Sequence, residues 1–141
     1  MKDKIFLALM EASAAHGMKS RVGFQKMDLS EGQPKVLYIL AQNPGCVQKE
    51  LAEKCGVSQP TLTAILERMI QKELVCREKT ITSGGKRSFR VYLTPHGSEI
   101  ADGVNQWVEE LECLSLKGFS EEERRQLLSL LGRVSDNLKN S

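Results

Sequence analysis

The chain has 141 residues, of which 40% are apolar, so we expect one small domain with a buried core. It contains no run of about 18 apolar residues that could cross a bilayer, and residues 1–4 lead into no secretory signal, which predicts a cytoplasmic protein without a membrane partner. The formal net charge is only +2, but residues 57–93 hold seven Lys and Arg against three Asp and Glu, and residues 94–141 hold five against nine.

Two helices are predicted in the first third of the chain. Residues 3–16 carry apolar side chains at helical spacing with no breaker before Gly17, which predicts a short amphipathic helix. Ser30 and Gln33 have the spacing of a capping box, so Ser30 is the predicted N-cap of a second helix that runs to about residue 42.

A helix-turn-helix is predicted next. Apolar residues recur every four positions over 47–55, Gly56 can take the left-handed conformation that ends a helix, and Ser58 can cap a following helix over 59–72. Four apolar side chains of that last helix face inward: Leu62, Ile65, Leu66 and Met69. Its outward face is small and polar: Gln59, Thr61, Thr63, Ala64, Glu67 and Arg68.

Such an outward face can approach DNA closely. Hydroxyl and amide groups reach phosphates and base edges, threonine methyls contact thymine methyls, and free backbone N–H groups at a helix start favour phosphate. The alternative is an ordinary surface helix, although such a helix usually carries more Lys and Glu.

A basic β-hairpin follows. Residues 74–79 and 88–93 have the composition and alternation of two strands. Their connecting loop, 82–87, is flexible at its two glycines and carries Lys86 and Arg87, which could enter a minor groove or lie along phosphates. The alternative is that these cations merely solvate the hairpin.

Six segments, in this order and with these gaps, resemble successive signatures of MarR-type (multiple antibiotic resistance regulator) winged-helix transcription factors. They are residues 29–33, Glu50-Leu51-Ala52, Val57 to Thr63, Leu66 to Met69, Lys72 to Arg77 and Val91 to Gly97. The resemblance implies a homodimer on a pseudo-palindromic operator in double-stranded DNA. It further implies that helix 59–72 lies in the major groove and that the wing, 82–88, reaches an adjacent minor groove.

The wing departs from the family pattern, which commonly reads Asp-x-Arg. Gly85 aligns with the Asp, and Lys86 and Arg87 follow it, so the carboxylate that usually braces the wing arginine is absent. Glu73 also stands where the family often has Gly. The expected DNA-binding residues are Ser58, Gln59, Thr61, Thr63, Arg68, Lys86 and Arg87.

The last third of the chain predicts two further helices. Thr94 caps the first, and Ser120 with Glu123 forms a capping box at the start of the second. Apolar stripes follow each cap: Ile100, Val104, Trp107, Val108, Leu111 and Leu114 in the first helix, and Leu127, Leu128, Leu131, Val134 and Leu138 in the second. These stripes exceed what a small winged core can cover, which predicts dimerisation, unless the helices fold back on their own domain.

The predicted fold is therefore mostly α with a small β-hairpin wing. We expect a single MarR-like domain over 1–141, with a winged helix-turn-helix core at 29–94 and dimerisation helices at 1–22 and 95–141.

The sequence contains no motif that is typical of a catalytic site or of a metal site. His16 and His96 sit in unrelated contexts, and the four cysteines show neither a nucleophile signature nor metal-ligand spacing, so we expect no enzyme, no cofactor and no metal. Cys55 is expected in the core, and Cys113 lies on the polar side of its helix, where a redox-sensing role is the alternative to a structural one.

Together with the resemblance, these features predict a sequence-specific transcriptional regulator, a homodimeric repressor released by a small-molecule effector. The resemblance implies that such effectors are often small aromatic acids, bound where the dimer helices meet the winged domain. The alternatives are a winged-helix module for protein interaction and a thiol-based redox-sensing regulator.

Overall fold

The computed structural model describes residues 3–141, which form six helices and three short strands. In chain order these are α1 (Ile5–Gln25), α2 (Gln33–Gln42), β1 (Cys46–Val47), α3 (Gln48–Cys55), α4 (Gln59–Gln71), β2 (Val75–Ile81), β3 (Arg87–Leu93), α5 (Pro95–Ser115) and α6 (Glu121–Lys139). The prediction of a mostly helical chain with a small β wing is confirmed. Residues up to Glu109 form one compact unit, and Glu110–Ser141 form a second.

Within residues 3–141, every helix is too short or too polar to span a bilayer.

The core of the first unit lies among α2, α3, α4 and the sheet. The inward side of α4 is fully buried at Leu62, Leu66 and Met69, and Leu37 of α2 and Leu51 of α3 are buried against the same cluster. Burial of each such side chain contributes roughly 1.5–3 kcal/mol. The apolar spacing in the sequence therefore identified the face of α4 that packs inward, and so the face that stays outside.

The sheet has three strands in the order β1-β3-β2, whereas the sequence predicted only a two-stranded hairpin. Cys46 of β1 pairs with Val91 of β3. A two-residue strand carries no periodicity, so no sequence pattern could identify it. The β2–β3 pairing extends to Ile81 and Arg87, so the predicted loop 82–87 is one residue too long and Arg87 is the first residue of β3.

Helix α1 is longer than predicted, because it continues through Gly17 to Gln25. A glycine inside a helix costs about 1 kcal/mol relative to alanine, which tertiary contacts can offset. One such contact lies near the end of α1, where the indole Nε1 of Trp107 in α5 donates to the Ser20 carbonyl at 3.0 Å. Gly23 allows this approach, since a Cβ there would overlap the Trp107 ring.

The predicted start of α2 is also corrected. The N-cap is Gly32, in the left-handed conformation at φ 88°, and not Ser30. Half of the predicted capping box nevertheless forms, because the Gln33 side-chain oxygen accepts from the Ser30 N–H at 3.2 Å. The caps of the last two helices are confirmed: Thr94 Oγ1 accepts from the backbone three residues on, and the Ser120 box is complete.

Candidate nucleic-acid interface

The turn between α3 and α4 fixes how α4 begins. Gly56 ends α3 in the left-handed conformation, with φ 69° and ψ 32°. Ser58 is the N-cap of α4: its Oγ accepts from the Thr61 N–H at 3.2 Å and lies 2.9 Å from Thr61 Oγ1, to which it donates. Both roles follow from local turn chemistry, and the predicted helix-turn-helix geometry is confirmed.

The outward face of α4 has the predicted polar character. Gln59, Thr61 and Arg68 are exposed, and Thr63 is half-buried. The first turn of α4 contains no acidic residue, so no carboxylate offsets the positive end of its helix dipole. This is the end of a helix that attracts phosphate.

Thr63 differs from its neighbours because its hydroxyl already has two partners in the protein. Thr63 Oγ1 donates to the Gln59 carbonyl and accepts from the Gln48 side-chain Nε2, each at 2.9 Å. The hydroxyl therefore has no hydrogen left to donate, and the methyl group remains as an apolar contact that Thr63 can offer to a base. Sequence reasoning did not identify Gln48, which lies 15 residues away in the first turn of α3.

In the structure the wing is the whole hairpin, which consists of β2, β3 and the connecting residues 82–86, and the predicted wing 82–88 is its outer end. Its tip is closed by hydrogen bonds rather than by an aspartate: the Thr82 N–H donates to the Lys86 carbonyl at 2.8 Å, and the Lys86 N–H donates to Thr82 Oγ1 at 3.2 Å. Gly85 occupies φ 78°, which glycine adopts without strain. Lys86 and Arg87 are both exposed. The structure therefore places two cations at the outer end of a hydrogen-bonded hairpin.

Two other wing arginines are held by the protein. The Arg77 guanidinium lies 4.7 Å from the centre of the Phe89 ring, and Arg90 Nη1 donates to the Gly45 carbonyl at 3.0 Å. These contacts secure the base of the wing. Among the described residues, the side chains of Lys86 and Arg87 make no comparable contact, so their charge is available to a ligand.

The end of α4 is tied to the α1–α2 connection by a contact that the sequence did not reveal. Lys72 Nζ donates to the Asp28 carbonyl at 2.7 Å and to Gln33 Oε1 at 3.2 Å. Gln33 is 1% exposed, and its oxygen also accepts from the Ser30 N–H. Just beyond Lys72, Glu73 adopts φ 61°, a left-handed conformation that glycine would adopt with less strain.

A groove of about 720 Å³ lies beside this tie. Its lining combines apolar and charged side chains from α1, the α1–α2 connection, α2, the end of α3, the α3–α4 turn and α4 with its C-cap. The apolar part includes Phe24, Leu29, Pro34, Val57 and Ile65, and the charged part is Arg21, Asp28, Glu31, Lys35 and Lys72. This volume is in the range of small-molecule sites, which run from about 300 to 1,000 Å³.

The cysteines divide into two classes. Cys46 and Cys55 are buried, and burial is the main cause that raises the pKa of each thiol, with the nearby Glu50 carboxylate adding to the rise for Cys46. Both therefore stay protonated and unreactive at neutral pH. The expected core position of Cys55 is confirmed, and Cys76 and Cys113 are exposed. Over residues 3–141, no cluster of three or more His, Cys, Asp or Glu is arranged to hold a metal ion.

Comparisons with known proteins agree with this geometry. The model of the MarR family matches residues 29–81. The chain is 30% identical over 131 residues to the homoprotocatechuate degradative operon repressor of Escherichia coli, an alignment that covers 93% of this chain and 87% of that protein.

Solved structures share the fold. The transcriptional regulator SlyA matches with a TM-score of 0.84 at 24% identity, over 97% of this chain and 95% of that chain. The transcriptional repressor CouR, bound to a 23-mer DNA duplex, matches with a TM-score of 0.81 at 25% identity, over 94% of this chain and 93% of that chain.

Proposed function

The chain belongs to the MarR family of winged-helix transcriptional regulators, and we propose that it is a homodimeric repressor that reads a pseudo-palindromic operator and is released by a small-molecule effector. In this proposal α4 enters the major groove, and the wing reaches the adjacent minor groove. The DNA-binding residues are Ser58, Gln59, Thr61, Thr63, Arg68, Lys86 and Arg87.

The observation that carries this proposal is the division of roles between α4 and the wing. Helix α4 offers small polar side chains and an uncompensated N-terminus, which suit close approach to base edges. The wing offers two exposed cations at its tip, which suit phosphate or a minor groove. The relatives support the same reading, since one is an operon repressor and CouR is bound to a duplex.

Dimerisation is supported by the apolar surface at both ends of the chain. In α1, Phe6 is 71% exposed and Met10 is 54% exposed. In α6, which belongs to the second compact unit, Leu128 is 56% exposed and Leu131 is 45% exposed. Exposed apolar side chains in this number on a single helix are typical of a protein interface. A two-fold pairing would also place two copies of α4 roughly 34 Å apart, one turn of B-DNA.

The groove beside Lys72 supports an effector site. Three of its charged side chains are cationic and two are anionic, and its walls are otherwise largely apolar, a combination that suits a small organic anion. One wall includes Lys72, at the end of α4, so a bound molecule there could change the affinity for DNA through α4.

We further propose that the protein has no catalytic activity and that it is cytoplasmic. His16 lies in α1 and His96 in α5, where neither adjoins a candidate nucleophile in the sequence. The redox-sensing alternative would rest on the exposed thiols, Cys113 and Cys76, since the two buried thiols keep their protons. The other alternative, a protein-interaction module, would use the same surface without DNA.

The salt dependence of binding distinguishes a DNA reader from a protein-interaction module. We expect the wild-type protein to enrich a duplex from a random pool, and its affinity for that duplex to fall steeply with salt, with a log–log slope near 0.9 for each of about 6–10 neutralised phosphates. Fluorescence anisotropy over a series of salt concentrations measures the slope. Failure to enrich any duplex, or a slope near zero, would contradict the proposal.

A further inference from the structure

Gln48, at the start of α3, has a side chain that is left partly unsatisfied next to α4. Its Nε2 donates to Thr63 Oγ1 at 2.9 Å, whereas its Oε1 is, among the described residues, the only buried side-chain N or O atom without a hydrogen-bond partner. A buried acceptor without a partner costs stability. An apolar side chain of similar shape would avoid that cost, so stability alone does not explain a glutamine here.

The hydrogen bonds around Thr63 have a fixed direction. Thr63 has one hydroxyl hydrogen, and it is used in the bond to the Gln59 carbonyl one turn earlier. The oxygen of the same hydroxyl can then only accept, and Gln48 Nε2 supplies the donor. The chain of donors therefore runs from Gln48 through Thr63 to Gln59, and its three members join the first turn of α3 to the first two turns of α4.

This chain selects the side-chain conformation of Thr63. A threonine inside a helix divides between two χ1 rotamers, because its hydroxyl can bond to the preceding turn in either. Only a rotamer that also presents the oxygen to Gln48 satisfies both bonds seen here. Fixing the hydroxyl fixes the methyl group on the same carbon, and a methyl is the group by which threonine contacts the thymine methyl in a major groove.

We propose that Gln48 is a positioning residue for operator specificity, which acts through the Thr63 rotamer and does not itself touch a base. The inference rests on the proposed function, because it requires α4 to read DNA. It predicts that Gln48 contributes to the choice of sequence and contributes little to stability or to affinity for arbitrary duplexes.

The test compares operator preference, defined as the affinity for the enriched duplex divided by the affinity for the same duplex with shuffled half-sites. We expect Gln48→Leu to lower this preference about 5- to 30-fold, with an unchanged affinity for the shuffled duplex and a melting temperature within a few degrees of wild type. The matched control is Gln42→Leu, the same substitution at an exposed glutamine of α2, which should change none of these quantities.

A double-mutant cycle separates positioning through Thr63 from a general structural role. Thr63→Ala should lower the operator preference by itself, and Gln48→Leu should then have no further effect in the Thr63→Ala background. Additive losses, or a Gln48→Leu variant that keeps the wild-type preference, would overturn this inference alone. A wild-type protein without any operator preference would overturn the proposed function as well.

Discussion

Introducing charge on the apolar side of α6 should convert the protein to a monomer and remove most of its operator affinity. We expect this of the double variant Leu128→Glu with Leu131→Glu, since both side chains are roughly half exposed in the single chain and lie one helical turn apart. A buried unpaired carboxylate at a dimer interface is strongly unfavourable. Sedimentation equilibrium reports the oligomeric state, and fluorescence anisotropy reports the affinity.

The expected loss of affinity is large because two linked recognition elements bind far more tightly than one. Linkage of this kind contributes a factor of about 10² to 10⁴, so the monomer should bind the enriched duplex at least about 100-fold more weakly. The control is Ser129→Glu with Gly132→Glu, two glutamates with the same spacing, each one position further along α6. Gly132 can accept a side chain, because a Cβ there would have no atom within 4 Å. Operator affinity that survives in a proven monomer would contradict the role given to dimerisation.

The second large effect concerns the division of labour between α4 and the wing. Replacing Thr61 and Thr63 with alanine should lower operator preference, since each direct base contact is worth about 1–3 kcal/mol of discrimination. Replacing Lys86 and Arg87 with alanine should weaken binding to all duplexes alike and lower the salt slope by about 0.9 for each phosphate that the variant no longer neutralises.

Both double variants should keep the wild-type melting temperature within a few degrees. The threonine variant loses the Ser58–Thr61 and Gln48–Thr63 side-chain hydrogen bonds, so any decrease in melting temperature should be larger for it than for the wing variant. The measurement is anisotropy on operator and shuffled duplexes over a range of salt concentrations. If the two variants lose affinity in the same proportion on both duplexes, with the same change in slope, the roles assigned to α4 and to the wing are wrong.

Features set by neighbouring residues were predictable from the sequence. The left-handed Gly56, the Ser58 cap and the Ser120 box depend on groups within a few positions of one another, so their spacing in the sequence fixes their geometry. The inward face of α4 was predictable for a similar reason, because a helical repeat is visible over 13 residues.

Features set by distant residues were not predictable in this way. Helix α1 continues past Gly17 to a region where Trp107 of α5 packs against it, and β1 exists because β3 lies beside it. The Gln48–Thr63 and Lys72–Gln33 hydrogen bonds join residues 15 and 39 positions apart. No local pattern marks either pair, so the contacts that hold both ends of α4 became visible only in three dimensions.

The most direct test of the central claim is a hydroxyl-radical footprint of the wild-type protein on its enriched duplex. We predict two symmetry-related protected patches on one face of the DNA, whose centres are separated by about one helical turn or a multiple of it, with two protein chains bound per duplex. A single unsymmetrical patch, or one chain per duplex at saturation, would contradict the account.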